Sequence, residues 1–324
     1  MINLGHISTP ASNVETKQVK MLVLGSGPAG LTAALYAARA ELEPVVLSGI
    51  ELGGQAALTH TIENYPGFPE GVGGSELGEL FQKQAERFGA KVEFDSAQSV
   101  DLSQRPYKVT TDNGKYLADT LVIATGARPN HLEIPGETRL TGKGVSYCAT
   151  CDGWFFKEKK VVVVGGGDSA LEEGLFLTRF ATSVTIVHRR DSLRAGKVLQ
   201  NRAFNNPKVK FVWNSVVREV LGTEKVTALK LKDTQTGVES TLETDGLFIF
   251  IGHTPNTQMF EGQLEMDELG YIKANPFMET NIPGVFVAGE VADSHFRQVI
   301  TSAGMGASAA IQATHFLEKE TASA

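Results

Sequence analysis

The chain carries one local pattern twice, and that repetition limits its fold more than any other feature. The first copy reads Lys20-Met21-Leu22-Val23-Leu24, then Gly25-Ser26-Gly27-Pro28-Ala29-Gly30, a periodic alanine-rich stretch over 31–40 and an apolar run over 44–47. The second reads Lys160-Val161-Val162-Val163-Val164, then Gly165-Gly166-Gly167-Asp168-Ser169-Ala170, a helix over 170–180 and a strand over 183–187. Each is strand, glycine turn, helix, strand. In such a turn the first glycine supplies the reversal, the second lets backbone approach a pyrophosphate, and the third allows helix and strand to pack closely. The anion then rests on the helix N-terminus, where free N–H groups and the dipole favour it. A lone glycine fingerprint is weak, but the flanking strands and helices make dinucleotide binding the expected role of both copies.

With 324 residues, 42% of them hydrophobic, and 34 glycines, the chain is long enough for two domains with their own cores. The net charge of -7 gives no general affinity for nucleic acid or an anionic membrane. No run reaches the eighteen or so apolar residues that span a bilayer. The first twenty residues lack the apolar core of a secretory signal, so a cytoplasmic protein is expected, with residues 1–18 as a flexible extension.

The ends of the second strands distinguish the two copies. The first ends in Ser48-Gly49, with no carboxylate to hold a ribose before Glu51. The second ends in His188-Arg189-Arg190, with Arg194 and Lys197 beyond. Arginines at that place suit a 2′-phosphate, which they hold through bidentate, charge-assisted hydrogen bonds. A solvated basic face is the alternative.

Between the copies lie a loop with Gly53-Gly54-Gln55 and Glu63-Asn64-Tyr65-Pro66-Gly67, an amphipathic helix over 74–88, and strands over 91–94, 107–111 and 116–119. The Asp112-Asn113-Gly114 sequence marks a hairpin turn. A buried strand over 121–127 closes the unit and contains Ala124-Thr125-Gly126. Beyond the second copy, strands are expected over 210–213, 226–231 and 247–251. The last segment runs through Gly289-Glu290 to Arg297-Gln298-Val299, which opens a helix of small residues over 302–317.

The only two cysteines stand as Cys148-Ala149-Thr150-Cys151, followed by Asp152. That spacing lets the thiols close a small ring and exchange with another disulfide, with Asp152 beside them as a proton donor or acceptor. A zinc site needs four ligands, and no second pair stands at short spacing. Two inert core cysteines remain an open alternative at this stage.

Together these motifs resemble the low-molecular-weight thioredoxin reductases of bacteria and plants, over almost the whole chain. The resemblance implies two Rossmann-like, three-layer β/β/α domains. The FAD domain is discontinuous (19–129 and 257–324), and an NADPH domain carrying the redox disulfide is inserted into it (130–256). It implies FAD contacts from Gly25, Ser26, Gly27, Pro28, Ala29, Gly30, Gln55, Asn64, Ala124, Thr125, Gly126, Gly289, Glu290, Arg297, Gln298 and Val299. It implies NADPH contacts from Gly165, Gly167, Asp168, Ser169, Ala170, His188, Arg189, Arg190 and Arg194. In the family, electrons pass from NADPH to FAD, to the disulfide and on to thioredoxin. Cys151 would accept them, Cys148 would attack thioredoxin, and Asp152 would act as the acid. A homodimer is implied as well, and domain movement about hinges near 128–130 and 254–257. Glu290 departs from the pattern, which typically has aspartate there. A related reductase of another disulfide partner, or a flavin dithiol oxidase, is the alternative, and the intact arginine set argues against the oxidase.

Overall fold

The computed structural model of the protein describes residues 16–50, 52–59 and 61–323. The candidate ribose ligand Glu51, and residues 1–15 of the expected extension, lie outside them. In chain order the first elements are β1 (Thr16–Leu24), α1 (Pro28–Arg39), β2 (Val45–Leu47), α2 (Gly74–Arg87), β3 (Lys91–Glu93), β4 (Ala97–Asp101), β5 (Tyr107–Thr111) and β6 (Lys115–Ile123). Then come β7 (Ala127–Pro129), α3 (Glu137–Leu140), β8 (Val145–Ser146), α4 (Ala149–Asp152), β9 (Lys160–Val164), α5 (Asp168–Leu177), β10 (Ser183–Val187), α6 (Lys197–Phe204) and β11 (Val209–Val212). The chain finishes with β12 (Ser215–Leu221), β13 (Ala228–Asp233), β14 (Glu239–Glu243), β15 (Gly246–Ile249), β16 (His253–Pro255), β17 (Val285–Val287) and α7 (Val299–Ser323).

Two compact units result. The first holds the residues up to Leu58, Gly74–Gly126 and those from Pro255 onward, and the second holds Thr59–Gly73 and Ala127–Thr254. The loop Thr59–Gly73, expected in the first unit, therefore groups with the second. Its Gly and Pro content prevents regular structure, and a mutual pair of hydrogen bonds between Ile62 and Val72 closes it on itself. β7 and β16 pair with each other where the chain passes between the units.

In the first unit the sheet order is β3-β2-β1-β6-β5-β4, with β17 also on β6. β6 is one continuous strand where two were expected, because no glycine or proline interrupts it. Its first half pairs antiparallel with β5 and its last residues pair parallel with β17. Nor do residues 16–18 belong to a free extension. They extend β1 beside β6, and Lys17 meets Glu93 at 2.9 Å. Alternation along the strands builds two cores on opposite faces. Leu22, Leu24, Leu121 and Ile123 pack with the β4–β5 hairpin through Val100, Tyr107 and Val109. Met21, Val23 and Val122 pack with Ala33, Ala34 and Ala37 of α1 and Ala309, Ala310 and Ala313 of α7.

The second unit repeats the plan with a parallel sheet, β11-β10-β9-β15-β8, and an antiparallel one, β12-β13-β14. Val161, Val163, Val184 and Ile186 face α5 and α6, whereas Val162, Val164, Val187 and Leu247 face Val217, Val220, Leu229 and Leu231 of the antiparallel sheet. β12 and β14 were not anticipated. A register shift between Val217 and Glu219 breaks the alternation of β12, and β14 is an edge strand with four of its five residues exposed.

Candidate active site

Both glycine turns form cradles that leave their helix N-termini uncapped by any side chain. In the first, Gly25 has φ +109°, and a Cβ there would stand 2.4 Å from the Ala124 carbonyl oxygen, so only glycine fits. Gly27 is the opposite case, with nothing within 4 Å of a Cβ position, and its open side faces the start of α1. Pro28 then sets the first helical φ. The Ser26 side chain is committed elsewhere, donating to the Ser48 carbonyl at 3.1 Å and tying the turn to β2.

Other expected residues gather at this turn. A Cβ on Gly54, beside Gln55, would lie 3.1 Å from Gly27, and one on Gly289 would lie 2.9 Å from Ala29. Thr125 and Asn256 lock together, the Thr125 hydroxyl donating to the Asn256 carbonyl at 2.7 Å and the Asn256 amide to the Thr125 carbonyl at 2.8 Å. Gly126 follows with φ +69°. Asn64 is exposed, in the loop that groups with the second unit. Burial pushes the Glu290 carboxyl up to about 7, against the pull of Arg297 and with help from Asp293. Asp293 is a residue the sequence did not single out. Its carboxylate accepts from the N–H groups of His295, Phe296 and Arg297 at 2.8–3.1 Å, shaping the approach to Gln298 and Val299 at the start of α7.

In the second unit the His188 ring is 5% exposed and lies over Gly166, where a Cβ would fall 2.3 Å from its Cε1. Burial holds its pKa below the ordinary histidine value. Its Nε2 is buried without a hydrogen-bond partner among the described residues. Arg189, Arg190 and Arg194 are exposed, and none has an ion-pair partner among the described residues. Asp168 has a structural task, its Oδ1 accepting from the Gly196 N–H at 2.7 Å. Ala170 is buried against Gly165, whereas Ser169 is exposed in the first turn of α5.

Cys148 and Cys151 form a disulfide. Cys148 caps α4, so its Sγ receives the Cys151 N–H at 3.1 Å, and the Thr150 hydroxyl lies 3.3 Å away. Cys148 is half-buried and Cys151 exposed. Burial pushes the Asp152 carboxyl up, while the Ser146 hydroxyl opposes that shift. The same Ser146 oxygen accepts the Cys148 N–H at 3.1 Å, so one buried hydroxyl serves both the cysteine and the acid. Glu173 of α5 accepts the Ala149 N–H at 3.2 Å. Sequence reasoning named Cys148, Cys151 and Asp152 but missed Ser146 and Glu173. Ser146 was legible only as a hydroxyl two residues before the pair.

Two glycine cradles fit two dinucleotides, and a disulfide at a helix N-cap beside a half-buried acid fits thiol exchange. These features define a redox protein that works with nucleotide cofactors and a dithiol. Residues 19–306 match the pyridine nucleotide-disulphide oxidoreductase family. A protein of Streptomyces clavuligerus named thioredoxin reductase is 51% identical over 300 residues, covering 92% of this chain and 93% of its own. One of the same name from Coxiella burnetii is 49% identical over 307 residues, covering 92% and 96%. The crystal structure of thioredoxin reductase from Streptococcus pyogenes MGAS5005 superposes with a TM-score of 0.90 at 42% identity, covering 94% of this chain and 100% of that one. The chain belongs to the pyridine nucleotide-disulphide oxidoreductase family, in its thioredoxin reductase branch. Membership implies a flavin and a pyridine nucleotide. No helix among the described residues is long and apolar enough to cross a membrane.

Proposed function

We propose that the protein is an NADPH-dependent thioredoxin reductase that holds FAD in its first unit and NADPH in its second. The observation that carries this reading is the Cys148–Cys151 disulfide at the N-cap of α4, on the same unit as an exposed arginine cluster with no ion-pair partner among the described residues. Gly25, Gly27 and the start of α1 would hold the flavin nucleotide's pyrophosphate, and Glu290 would hold its sugar chain. Gly165, Gly167 and α5 would take the nicotinamide nucleotide's pyrophosphate, and Arg189, Arg190 and Arg194 its 2′-phosphate. When bound, the two cofactors supply hydride transfer and paired electrons.

The chain's own chemistry is thiol exchange. Two electrons and two protons convert the Cys148–Cys151 disulfide into a dithiol. The N–H of Cys151 and the hydroxyl of Thr150 favour negative charge on the Cys148 sulfur. That thiolate attacks a sulfur of oxidised thioredoxin, forming a mixed disulfide and expelling the other thioredoxin sulfur as a thiolate. Asp152, whose carboxyl burial pushes above the ordinary aspartate value, donates a proton to the departing sulfur. Cys151 then attacks Cys148, closing the original disulfide and releasing the second thioredoxin thiol.

The arginines support NADPH over NADH, since a free ribose hydroxyl would need no cation. A cytoplasmic location accords with a compartment in which a dithiol is the working state. The homodimer rests on the family resemblance. The test is anaerobic reduction of oxidised thioredoxin by NADPH, comparing the native protein with Cys148→Ser. The native protein turns over and the variant does not. Equal rates would refute the assignment of Cys148.

A further inference from the structure

We propose that Gln200 is a positioning residue for nucleotide discrimination, holding the segment that presents Arg194 in its working shape before any nucleotide arrives. This rests on the reading of the second unit as an NADPH site.

Gln200 lies on α6 and is 8% exposed, a long polar side chain that is buried. A buried amide in that setting is costly unless its hydrogen bonds are made. Here they are made to one target. Its Nε2 donates to the Ala195 carbonyl at 2.7 Å and to the Leu193 carbonyl at 3.4 Å, the two carbonyls flanking Arg194. Its Oε1 accepts from Lys197 at 3.5 Å. The N–H groups of the same segment are fixed from the other side. Those of Arg194 and Ala195 both donate to the Gly166 carbonyl, at 2.7 and 3.1 Å, and that of Gly196 donates to Asp168 at 2.7 Å.

Residues 193–196 are thus clamped between α6 and the glycine turn. Asp168 and the Gly166 carbonyl belong to the turn that meets any dinucleotide, so their loss would harm NADH and NADPH alike. Gln200 is different, because its side-chain hydrogen bonds go to the segment that carries Arg194 and to Lys197 on its own helix, and none goes to the glycine turn. Arg189 and Arg190 are fixed independently, their carbonyls accepting from Thr234 at 3.4 Å and from Asn214 at 3.2 Å. Removing the Gln200 amide therefore loosens one cation of the three and leaves the cradle for the shared pyrophosphate in place. A loosened arginine must be ordered at the moment of binding, and that entropy weakens only the contact with the 2′-phosphate.

Gln200→Met tests this, since methionine has the same length, stays buried and has no donor. Dissociation constants of NADP⁺ and NAD⁺ for the oxidised, flavin-loaded protein are measured by calorimetry. The variant should bind NADP⁺ about five- to tenfold more weakly, with NAD⁺ within about twofold of the native value. Equal weakening of both nucleotides would make Gln200 a general support of the fold and overturn the proposal, as would unchanged NADP⁺ binding. If the native protein itself shows no preference for NADP⁺, the NADPH reading falls and this inference with it. A second measurement needs no variant. Backbone amides of Arg194, Ala195 and Gly196 should exchange slowly with solvent in the nucleotide-free native protein, and fast exchange that slows only on adding NADP⁺ would show that the segment is not preformed.

Discussion

Two hydroxyls tune the surroundings of the disulfide, Thr150 at the Cys148 sulfur and Ser146 at Cys148 and Asp152. Thr150 places its hydroxyl 3.3 Å from the Cys148 sulfur. Thr150→Val keeps the shape and removes the hydroxyl, so iodoacetamide should alkylate the reduced protein several-fold more slowly at neutral pH, by roughly 3-fold for one charge-assisted hydrogen bond. An unchanged rate would remove Thr150 from the account. Ser146 opposes the burial that raises Asp152. Without its hydroxyl the ionised acid loses a donor, so Ser146→Ala should raise the Asp152 pKa further and move the corresponding limb of the pH–rate profile upward. Of the acids on α5, which packs against α4, Glu173 bonds Ala149 and is untouched by the change, as are Asp168 and Glu172. A limb that stays in place, or moves down, would contradict the assignment. Of these residues the sequence made Cys148, Cys151 and Asp152 visible through spacing alone. The roles of Ser146, Glu173 and Gln200 were not legible, because they depend on which backbone groups the fold brings to them, and no spacing rule encodes that.

Among the elements, α7 shows how a legible feature can hide its reason. The run of small residues after Ser302 was readable as a helix, but its partner was not. Gly306 meets α1 so closely that a Cβ would stand 2.1 Å from the Ala29 carbonyl oxygen, directly behind the first glycine turn. Gly306→Ala should therefore destabilise the protein by about 1–3 kcal/mol and lower the flavin retained on purification. Unaltered stability and flavin content would mean that α7 does not support the cradle. The glycine turns and their parallel strands were read correctly because period and turn chemistry agree there. The antiparallel layer of the second unit was only partly legible, because β12 carries a bulge and β14 has a single apolar residue, Leu242.

For the whole molecule, pH should couple to stability through Glu290, whose carboxyl is raised from 4.5 to about 7 by burial. The folded protein then holds a proton that the unfolded chain releases, so the contribution of Glu290 to stability is fully present below about 4.5 and is lost as pH rises to about 7. The loss is at most about 3 kcal/mol for this shift. In protein prepared without flavin, Glu290→Gln should flatten that slope in denaturant titrations across the window, and an identical slope would contradict the burial of this group. At the same scale, the two-unit division was visible as a repeated motif, whereas the grouping of Thr59–Gly73 with the second unit was not, since nothing in a loop of Gly and Pro records which body it packs with. The central claim is a path from NADPH to a partner disulfide. Its most direct test is anaerobic titration of the flavin-loaded protein with NADPH and separately with NADH, following flavin absorbance, and then adding oxidised thioredoxin. The account predicts bleaching by NADPH at far lower concentration than by NADH, and return of the colour with thioredoxin. A flavin that NADPH leaves oxidised, or one that thioredoxin leaves reduced, would contradict it.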